Sequence, residues 1–304
     1  MKNVLVFIVT ICVVCSLFFF IRATDLATVL ALVQKIGYRF VVLLLCTFVA
    51  YVFGTLSWQF SLGAYWKTFS IGRLFLIRHL GETVGMLNPA SVVGGDAFKA
   101  VMLGKYEIPE KNIVWSMLFS RGIMVISQLL LFFAMVLILL FQHPAFASYH
   151  SIAGRNAGFY ALISVRWRLF RNKLSKLLME LPLLIRENKR MLSFSVLFAL
   201  LHWVFGGLEF YFILKFLGLK VTIVQALLVD LGVVLFKAAG AFIPGQLGIE
   251  EYGNKIMLMV IGLPQEEVWV TASILRRARQ LFWIAIGIIT YFILFGKKTP
   301  DTII

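Results

Sequence analysis

Residues 85–103 read GMLNPASVVGGDAFKAVML and residues 240–258 read GAFIPGQLGIEEYGNKIML, and these two stretches decide the fold. Each places a proline and several glycines inside an otherwise apolar region. An offset of 155 residues aligns the two regions without a gap. The matched pairs are Gly85/Gly240, Pro89/Pro244, Met102/Met257, Leu103/Leu258, Pro109/Pro264, Arg121/Arg276 and, as an acid for an acid, Asp96/Glu251. We therefore predict that the chain contains an internal repeat.

The composition is that of an integral membrane protein. Hydrophobic residues make up 61% of the 304 residues and charged residues 14%, with a mean hydropathy of +0.93. Soluble domains usually contain about 45–50% apolar and about 25% charged residues. The formal net charge of +15 would suggest nucleic acid in a soluble protein. Because the basic residues lie between apolar runs, the positive-inside rule explains them better, and we expect no nucleic-acid partner.

The apolar runs predict an all-α integral membrane fold. A bilayer core takes ~20 apolar residues per helix. Runs of this length are 3–21, 38–62, 112–141, 191–217 and 268–296. Two further apolar regions, 66–104 and 222–262, are interrupted by proline and glycine, a pattern that favours re-entrant helical hairpins over clean spans. We expect about six transmembrane helices plus two re-entrant hairpins.

The lysines and arginines predict the orientation. The segment 166–190 holds eight basic residues against two glutamates and is expected to be a cytoplasmic linker. The same rule places both termini in the cytoplasm of a plasma (inner) membrane protein. These constraints agree only if 144–165 crosses the bilayer once, which makes the repeats inverted. If 144–165 lies on the surface instead, the repeats are parallel.

One polytopic domain, 1–304, is the predicted organisation. Repeat one covers about 38–141 and repeat two about 191–296, on either side of the linker. The apolar stretch that begins at Val4 is expected to be a retained first helix, since it is too long for the core of a typical signal peptide.

Charged residues within apolar segments are the candidate functional residues, because each is costly in lipid. Asp96 precedes Arg121 in the first repeat, and Glu251 precedes Arg276 in the second. One interpretation is that each acid pairs with the arginine of its own repeat. The other is that the arginines face a cavity and hold an anionic headgroup, because a guanidinium binds phosphate bidentately. The two are compatible if a ligand competes for the arginine.

The chain shows no His/Cys cluster, nucleophile elbow or Walker loop. We therefore predict no metal site, no cofactor and no catalytic residue.

The two motifs, in this order, resemble the lysylphosphatidylglycerol synthase transmembrane family, also called flippase-like membrane proteins. The resemblance covers about residues 5–295. In bifunctional members this domain flips an aminoacylated phospholipid that a separate soluble domain makes. This chain is expected to be a stand-alone member without that synthase domain. The residues carried over are Asn88, Pro89, Gly94, Gly95, Asp96, Arg121, Pro244, Gly245, Gly248, Glu250, Glu251 and Arg276.

The resemblance implies that the chain moves or binds lipids, and we expect translocation of an anionic or polar-headgroup lipid, either a phospholipid or a polyprenyl-linked intermediate. Arg121 and Arg276 would hold phosphate. Asp96, Glu250 and Glu251 would position the arginines or meet a cationic group, with Asn88 beside them. Prolines and glycines, namely Pro89, Gly94, Gly95, Pro244, Gly245 and Gly248, would shape the hairpins.

Two alternatives remain open. The chain could be a non-catalytic membrane subunit that recruits a synthase or glycosyltransferase through segment 166–190. It could also be a membrane-embedded transferase acting on a lipid-linked substrate, for which Glu250 and Glu251 are the candidate acid or base.

Overall fold

The computed structural model describes residues 26–87, 92–106, 108–142, 189–239 and 248–295, and the regular structure of these residues is helical throughout. In chain order the α-helices are α1 (Leu26–Ile36), α2 (Arg39–Ser61), α3 (Ile71–Leu87), α4 (Val92–Gly104), α5 (Glu110–Gln142), α6 (Lys189–Phe216), α7 (Ile223–Ala239), α8 (Ile249–Val260) and α9 (Glu266–Phe295). A short 3₁₀ turn, Gly63–Tyr65, follows α2.

Some of the predicted features lie outside the described residues. They are the first span 3–21, the region 144–165, nearly all of the linker 166–190, and the hairpin residues Asn88, Pro89, Pro244 and Gly245.

Four of the described helices are long and apolar enough to cross a bilayer. The spans are Arg39–Ser61, Glu110–Phe141, Lys189–Phe216 and Glu266–Leu294. They coincide with four of the predicted apolar runs, so the prediction of a helical, multi-pass membrane protein is confirmed. A helix satisfies every backbone hydrogen bond within itself, which is why apolar runs of this length fold as helices in lipid.

The two apolar regions that proline and glycine interrupt each contain a pair of shorter helices. α3 and α4 occupy the first interrupted region, and α7 and α8 occupy the second. The second pair also matches the offset found in the sequence, since 155 added to the bounds of α4 gives 247–259, and α8 is Ile249–Val260. The predicted interruptions at 88–91 and 240–247 lie between the described helices of each pair and outside the described residues.

Glycines allow α3 and α4 to pack closely. A Cβ added to Gly95 would overlap the carbonyl oxygen of Gly81, so the two backbones touch where both residues lack a side chain. In the second pair, Gly248 precedes α8 with φ +80°, a left-handed conformation that side chains rarely adopt. Gly95 thus allows close helix packing and Gly248 a left-handed turn before α8, and the role of these glycines in re-entrant hairpins stays a prediction.

Helix α1 was not predicted. It ends at Gly37, which has φ +61°, and it packs against α9 with Val29 buried. The sequence analysis placed no helix between 21 and 38 because this segment is shorter than a membrane span.

Among the described helices, α2 and α6 pack against each other most extensively, and polar side chains lie along their interface. Ser195 Oγ of α6 donates to the Ser57 carbonyl oxygen at 2.7 Å and lies 3.0 Å from Ser61 Oγ. Small hydroxyl residues let helices approach closely in lipid and supply hydrogen bonds between them. A buried apolar cluster around Phe210, Leu231 and Leu258 joins α6 to the second helix pair.

Candidate functional site

The first charged cluster joins helix α4 to helix α5. Asp96 Oδ2 accepts from Arg121 Nε at 2.6 Å, and Asp96 Oδ1 lies 3.5 Å from Lys99 Nζ. The Asp96 carboxylate therefore bridges two cations. The Arg121 side chain remains 45% exposed and that of Asp96 25%, so a group from outside the protein can reach this pair.

Helix α3 adds a second carboxylate and a second arginine to the same cluster. Lys99 Nζ lies 2.9 Å from Glu82 Oε1, which is 3.9 Å from Arg78 Nε. The Arg78 guanidinium lies against Gly54 of α2 and donates to the Tyr51 carbonyl oxygen at 2.8 Å. Charged side chains of the first helix pair therefore contact both α2 and α5.

The second charged cluster is buried and fully paired. Arg276 donates from Nη1 to Asp230 Oδ1 at 2.7 Å and from Nε to Glu250 Oε1 at 2.9 Å. Glu250 Oε2 accepts from Gln280 at 2.8 Å and from Lys237 at 3.2 Å. The side chains of Arg276 and Asp230 are each 5% exposed. This cluster joins α7, α8 and α9, and of its members Lys237 and Gln280 reach the cavity described below.

Two further ion pairs surround this buried cluster. Glu251 pairs with Arg277, so the adjacent glutamates of α8 contact adjacent arginines of α9. Arg279 Nε lies 2.8 Å from Glu209 Oε1, and Glu209 Oε2 accepts from Thr47 of α2. The offset of 155 aligns Glu251 with Asp96 and Arg276 with Arg121, yet Glu250 is the residue that pairs with Arg276.

A cavity of about 470 Å³ lies where the two halves of the chain meet. Its walls come from α2, α3, α4 and α5 on one side and from α6, α7 and α9 on the other. Among the described residues its charged lining residues are four cations and two carboxylates, namely Arg78, Lys99, Arg121, Lys237, Glu82 and Asp96. Volumes of roughly 300–1,000 Å³ are typical of sites for one small ligand.

The structure separates the two predicted arginines. Arg121 and Asp96 line the cavity together with Gly95, whereas Arg276, Glu250 and Glu251 are not among the lining residues. Gly94 lies on α4 one residue before Gly95. The predicted site residues therefore belong to two clusters, one open to the cavity and one buried.

Lys99 and Arg78 are cavity residues that the sequence analysis did not propose for the site. Lys99 follows Asp96 by three residues on one helix, a spacing that places both side chains on the same face. That spacing was a usable signal. Arg78 lies within α3, and its position in the sequence gave no sign that it would line the cavity.

The sequence predicted no metal site, and the side chains that could hold a metal ion are those of His, Cys, Asp and Glu. Within the described part of the chain, no group of three such side chains is placed to hold a metal ion.

Comparison with known sequence families tests the family resemblance that the two motifs suggested. Residues 4–287 match the family described as the lysylphosphatidylglycerol synthase TM region. The chain belongs to this family. In this lysylphosphatidylglycerol synthase TM-region protein the match covers both helix pairs, the first three of the four candidate membrane spans among the described residues, and most of the fourth. No curated protein and no solved structure matches the chain.

Proposed function

We propose that this protein translocates an anionic lipid between leaflets and that the cavity between the two halves binds its headgroup. The observation that carries the proposal is the half-exposed Arg121, which lines a cavity whose described charged residues are four cations and two carboxylates. Family membership supports a link to lipid handling. The chain acts as a carrier in this proposal and has no catalytic role.

In this proposal the Asp96 carboxylate occupies the position that the lipid phosphate takes when the lipid binds. It bridges Lys99 and Arg121, which is the arrangement that a phosphate between two cations would have. A guanidinium binds phosphate through two parallel hydrogen bonds, and such charge-assisted bonds are strong. A headgroup phosphate would displace the Asp96 carboxylate and bind Arg121 in its place. The site would then have two states, one with the Asp96–Arg121 ion pair and one with bound lipid.

Arg276 has a different task in this proposal. Its guanidinium stays with Asp230 and Glu250, because removing it would leave the buried Asp230 without this ion pair and Glu250 with Lys237 alone. The buried cluster therefore holds α7, α8 and α9 as a fixed wall, and the headgroup binds to the first helix pair.

The topology follows from the same reasoning. We propose that the helix pairs α3–α4 and α7–α8 are re-entrant hairpins of two inverted repeats, with both chain termini in the cytoplasm. Inverted repeats with broken helices near the midplane are a common transporter plan. The acyl chains would stay in the bilayer beside the cavity, because a space of about 470 Å³ suits a headgroup and not a whole lipid.

A lipid-retention experiment tests the proposal. The protein, purified in mild detergent, is incubated with phosphatidic acid and phosphatidylcholine of equal acyl chains, and retained lipid is measured by native mass spectrometry. We expect the wild type to retain phosphatidic acid preferentially and Arg121→Gln to lose most of that preference. Arg73→Gln is the matched control, because Arg73 lies on α3 but does not line the cavity.

Flipping is then measured with fluorescent phosphatidic acid in vesicles. Arg121→Gln should slow it at least about tenfold, and Arg73→Gln should leave it unchanged. Equal flipping rates for the wild type and Arg121→Gln would contradict the assignment of Arg121 to the headgroup site. Co-purification of a soluble synthase with a protein that does not flip lipid would favour the subunit alternative, and product formation by the purified chain would favour the transferase.

A further inference from the structure

A row of aromatic rings follows the interface of α2 and α6. Among the described residues, six rings are connected in such a way that the centroid of each lies within 6.0 Å of another. We call these rings the aromatic row, and its members are Phe53, Phe60, Trp66, Phe194, Phe198 and Phe205. None of them lines the cavity between the two halves, so the row belongs to a different surface of the protein.

The rings of the aromatic row stack on one another. The plane of Phe60 is 11° from that of Phe198 and 23° from that of Trp66. The plane of Phe53 is 19° from that of Phe198. All six side chains are half-buried, so part of each ring can be reached from the bilayer. Because the stacked rings already hold one another, an apolar chain that packs on them gains dispersion contacts without ordering flexible side chains.

A buried glutamine fixes the loop that supplies one end of the row. Gln59 Nε2 donates to the Trp66 carbonyl oxygen at 3.0 Å and to the Phe69 carbonyl oxygen at 2.9 Å. These two bonds hold the loop after α2 against its own helix, where the Trp66 ring stacks on Phe60. The position of Lys67, which follows Trp66, is fixed by the same bonds.

Two cations lie at this end of the aromatic row. Lys67 Nζ is 5.3 Å from the centre of the Trp66 ring, and Arg190 Cζ is 5.7 Å from the centre of the Phe194 ring. Both cations are exposed, and within the described part of the chain neither pairs with an acidic side chain. An aromatic face attracts a cation and so helps to hold each of them at the row.

The two cations share one end of the row because α2 and α6 are antiparallel. Ser195 of α6 contacts Ser57, and His202 contacts Ala50, so the C-terminal end of α2 lies beside the N-terminal end of α6. From this end the aromatic row continues along both helices as far as Phe205.

The length of the aromatic row matches one leaflet. Phe194 and Phe205 are eleven residues apart on α6, which is about 16 Å along its axis. Half of a bilayer core of ~30 Å is about 15 Å. Because α6 is a candidate membrane span and the cations lie at its outer end, the row extends from the headgroups of one leaflet to about the midplane.

Charge and length together define the ligand. Basic side chains between membrane helices attract anionic headgroups, and a choline headgroup would bring its own cation to Lys67 and Arg190. We propose that the α2–α6 surface binds one anionic phospholipid of the leaflet in which α6 begins. Its phosphate lies at Lys67 and Arg190, and one acyl chain lies along the aromatic row. The site is separate from the cavity and does not depend on what the cavity carries.

Photo-labelling tests where the lipid binds. The full chain is reconstituted in vesicles with a trace of phosphatidylglycerol or phosphatidylcholine that carries a diazirine on the same acyl chain, and labelled residues are mapped by mass spectrometry. We expect phosphatidylglycerol to label residues 194–205 at least about fivefold more than phosphatidylcholine does. Equal labelling would overturn the proposal, because the surface would then contact only ordinary bilayer lipid. This comparison needs no variant.

A pair of double variants tests the cations. Lys67→Gln/Arg190→Gln should lower labelling of residues 194–205 by phosphatidylglycerol to the level of phosphatidylcholine. Arg39→Gln/Lys215→Gln is the matched control, because each of these cations lies over an aromatic ring of α6 at the opposite end of the same two helices. The control should label as the wild type does. Unchanged labelling in Lys67→Gln/Arg190→Gln would overturn the headgroup position.

Two single variants test the aromatic row and its separation from the cavity. Phe60→Leu removes the ring that contacts three others and should lower labelling by phosphatidylglycerol at least about twofold. An unchanged yield would contradict the role of the row. Arg121→Gln should leave labelling of residues 194–205 unchanged, because Arg121 lines the cavity. Loss of labelling in Arg121→Gln would overturn a separate site.

Competition identifies the class of lipid. An excess of unlabelled phosphatidylglycerol should remove the labelling of residues 194–205, and an equal excess of undecaprenyl phosphate should not. The reverse result would overturn the phospholipid assignment in favour of a polyprenyl phosphate.

Discussion

Arg276 Nη1 lies 2.7 Å from Asp230 Oδ1 in a cluster that is almost closed to its surroundings. The residue that aligns with Arg276 in the first repeat, Arg121, pairs with Asp96 at a similar distance but with nearly half of its side chain exposed. Residues that are equivalent in the sequence therefore occupy different environments. We interpret the buried Arg276–Asp230 pair as stabilising the fold and the exposed Arg121–Asp96 pair as the one that a ligand can displace.

Replacing Arg276 should destabilise the fold far more than replacing Arg121. Arg276→Gln leaves Asp230 and Glu250 buried without their arginine, and breaking a buried ion pair of this kind costs about 3–5 kcal/mol. Arg121→Gln breaks an exposed pair, for which about 0–1 kcal/mol is typical. Unfolding of both variants in detergent by a denaturant series measures the difference. Equal stabilities would mean that the buried cluster contributes nothing to the fold.

Removing the carboxylate that bridges the cavity cations should strengthen lipid binding. Asp96→Asn keeps the size of the side chain but no longer competes with a phosphate for Arg121 and Lys99. We expect the affinity for phosphatidic acid to rise about two- to tenfold, which is opposite in sign to Arg121→Gln. Titration of the lipid by native mass spectrometry checks it, with Glu251→Asn as the control, because Glu251 pairs with Arg277 away from the cavity. Weaker binding by Asp96→Asn would show that Asp96 positions Arg121 and does not compete with the ligand.

A methyl group at Gly95 should separate the helices of the first pair. Gly95→Ala would place a Cβ against the Gly81 carbonyl oxygen, and overpacking of this kind typically costs about 1–3 kcal/mol. Gly104→Ala is the control on the same helix, since a Cβ at Gly104 meets nothing within 4 Å. Thermal unfolding in detergent should rank Gly95→Ala below both the control and the wild type. A Gly95→Ala protein as stable as Gly104→Ala would contradict the close approach of α3 and α4.

The seam between α2 and α6 should accept a disulfide. Ser57 Oγ and Ser195 Oγ lie 3.2 Å apart, so the double variant Ser57→Cys/Ser195→Cys places two thiols in contact. In a background in which Cys12, Cys15 and Cys46 are alanine, mild oxidation should cross-link the pair within the chain.

The cross-link should leave phosphatidic acid retention unchanged, because neither serine lines the cavity. Mass spectrometry after proteolysis detects the bond. Ser57→Cys/Ser193→Cys is the control, since Ser193 is exposed on another face of α6. Equal cross-linking of both pairs would indicate that α6 rotates against α2, and loss of lipid from the cross-linked protein would indicate that the seam moves during binding.

Part of the candidate site followed from the sequence because its residues are close along the chain. Asp96 and Arg121 were identified as charges within apolar segments, and they meet because α4 and α5 are consecutive helices. Lys99 was overlooked although it follows Asp96 by one helical turn. Gln128, His202 and Gln280 also line the cavity and had no sequence signal, because an isolated glutamine or histidine on an apolar helix does not reveal whether it faces a cavity.

The sequence by itself determined that this is a helical, multi-pass membrane protein of the lysylphosphatidylglycerol synthase TM-region family, because bilayer thickness sets the length of an apolar run and because proline and glycine mark where helices break. Tertiary structure alone decided which arginine faces the cavity. Arg121 and Arg276 occupy equivalent positions of the repeat, and their difference arises from carboxylates on other helices. Asp230 of α7 pairs with Arg276, and among the described residues no second acid pairs with Arg121. Such pairing depends on how distant helices pack, and a linear pattern does not encode it.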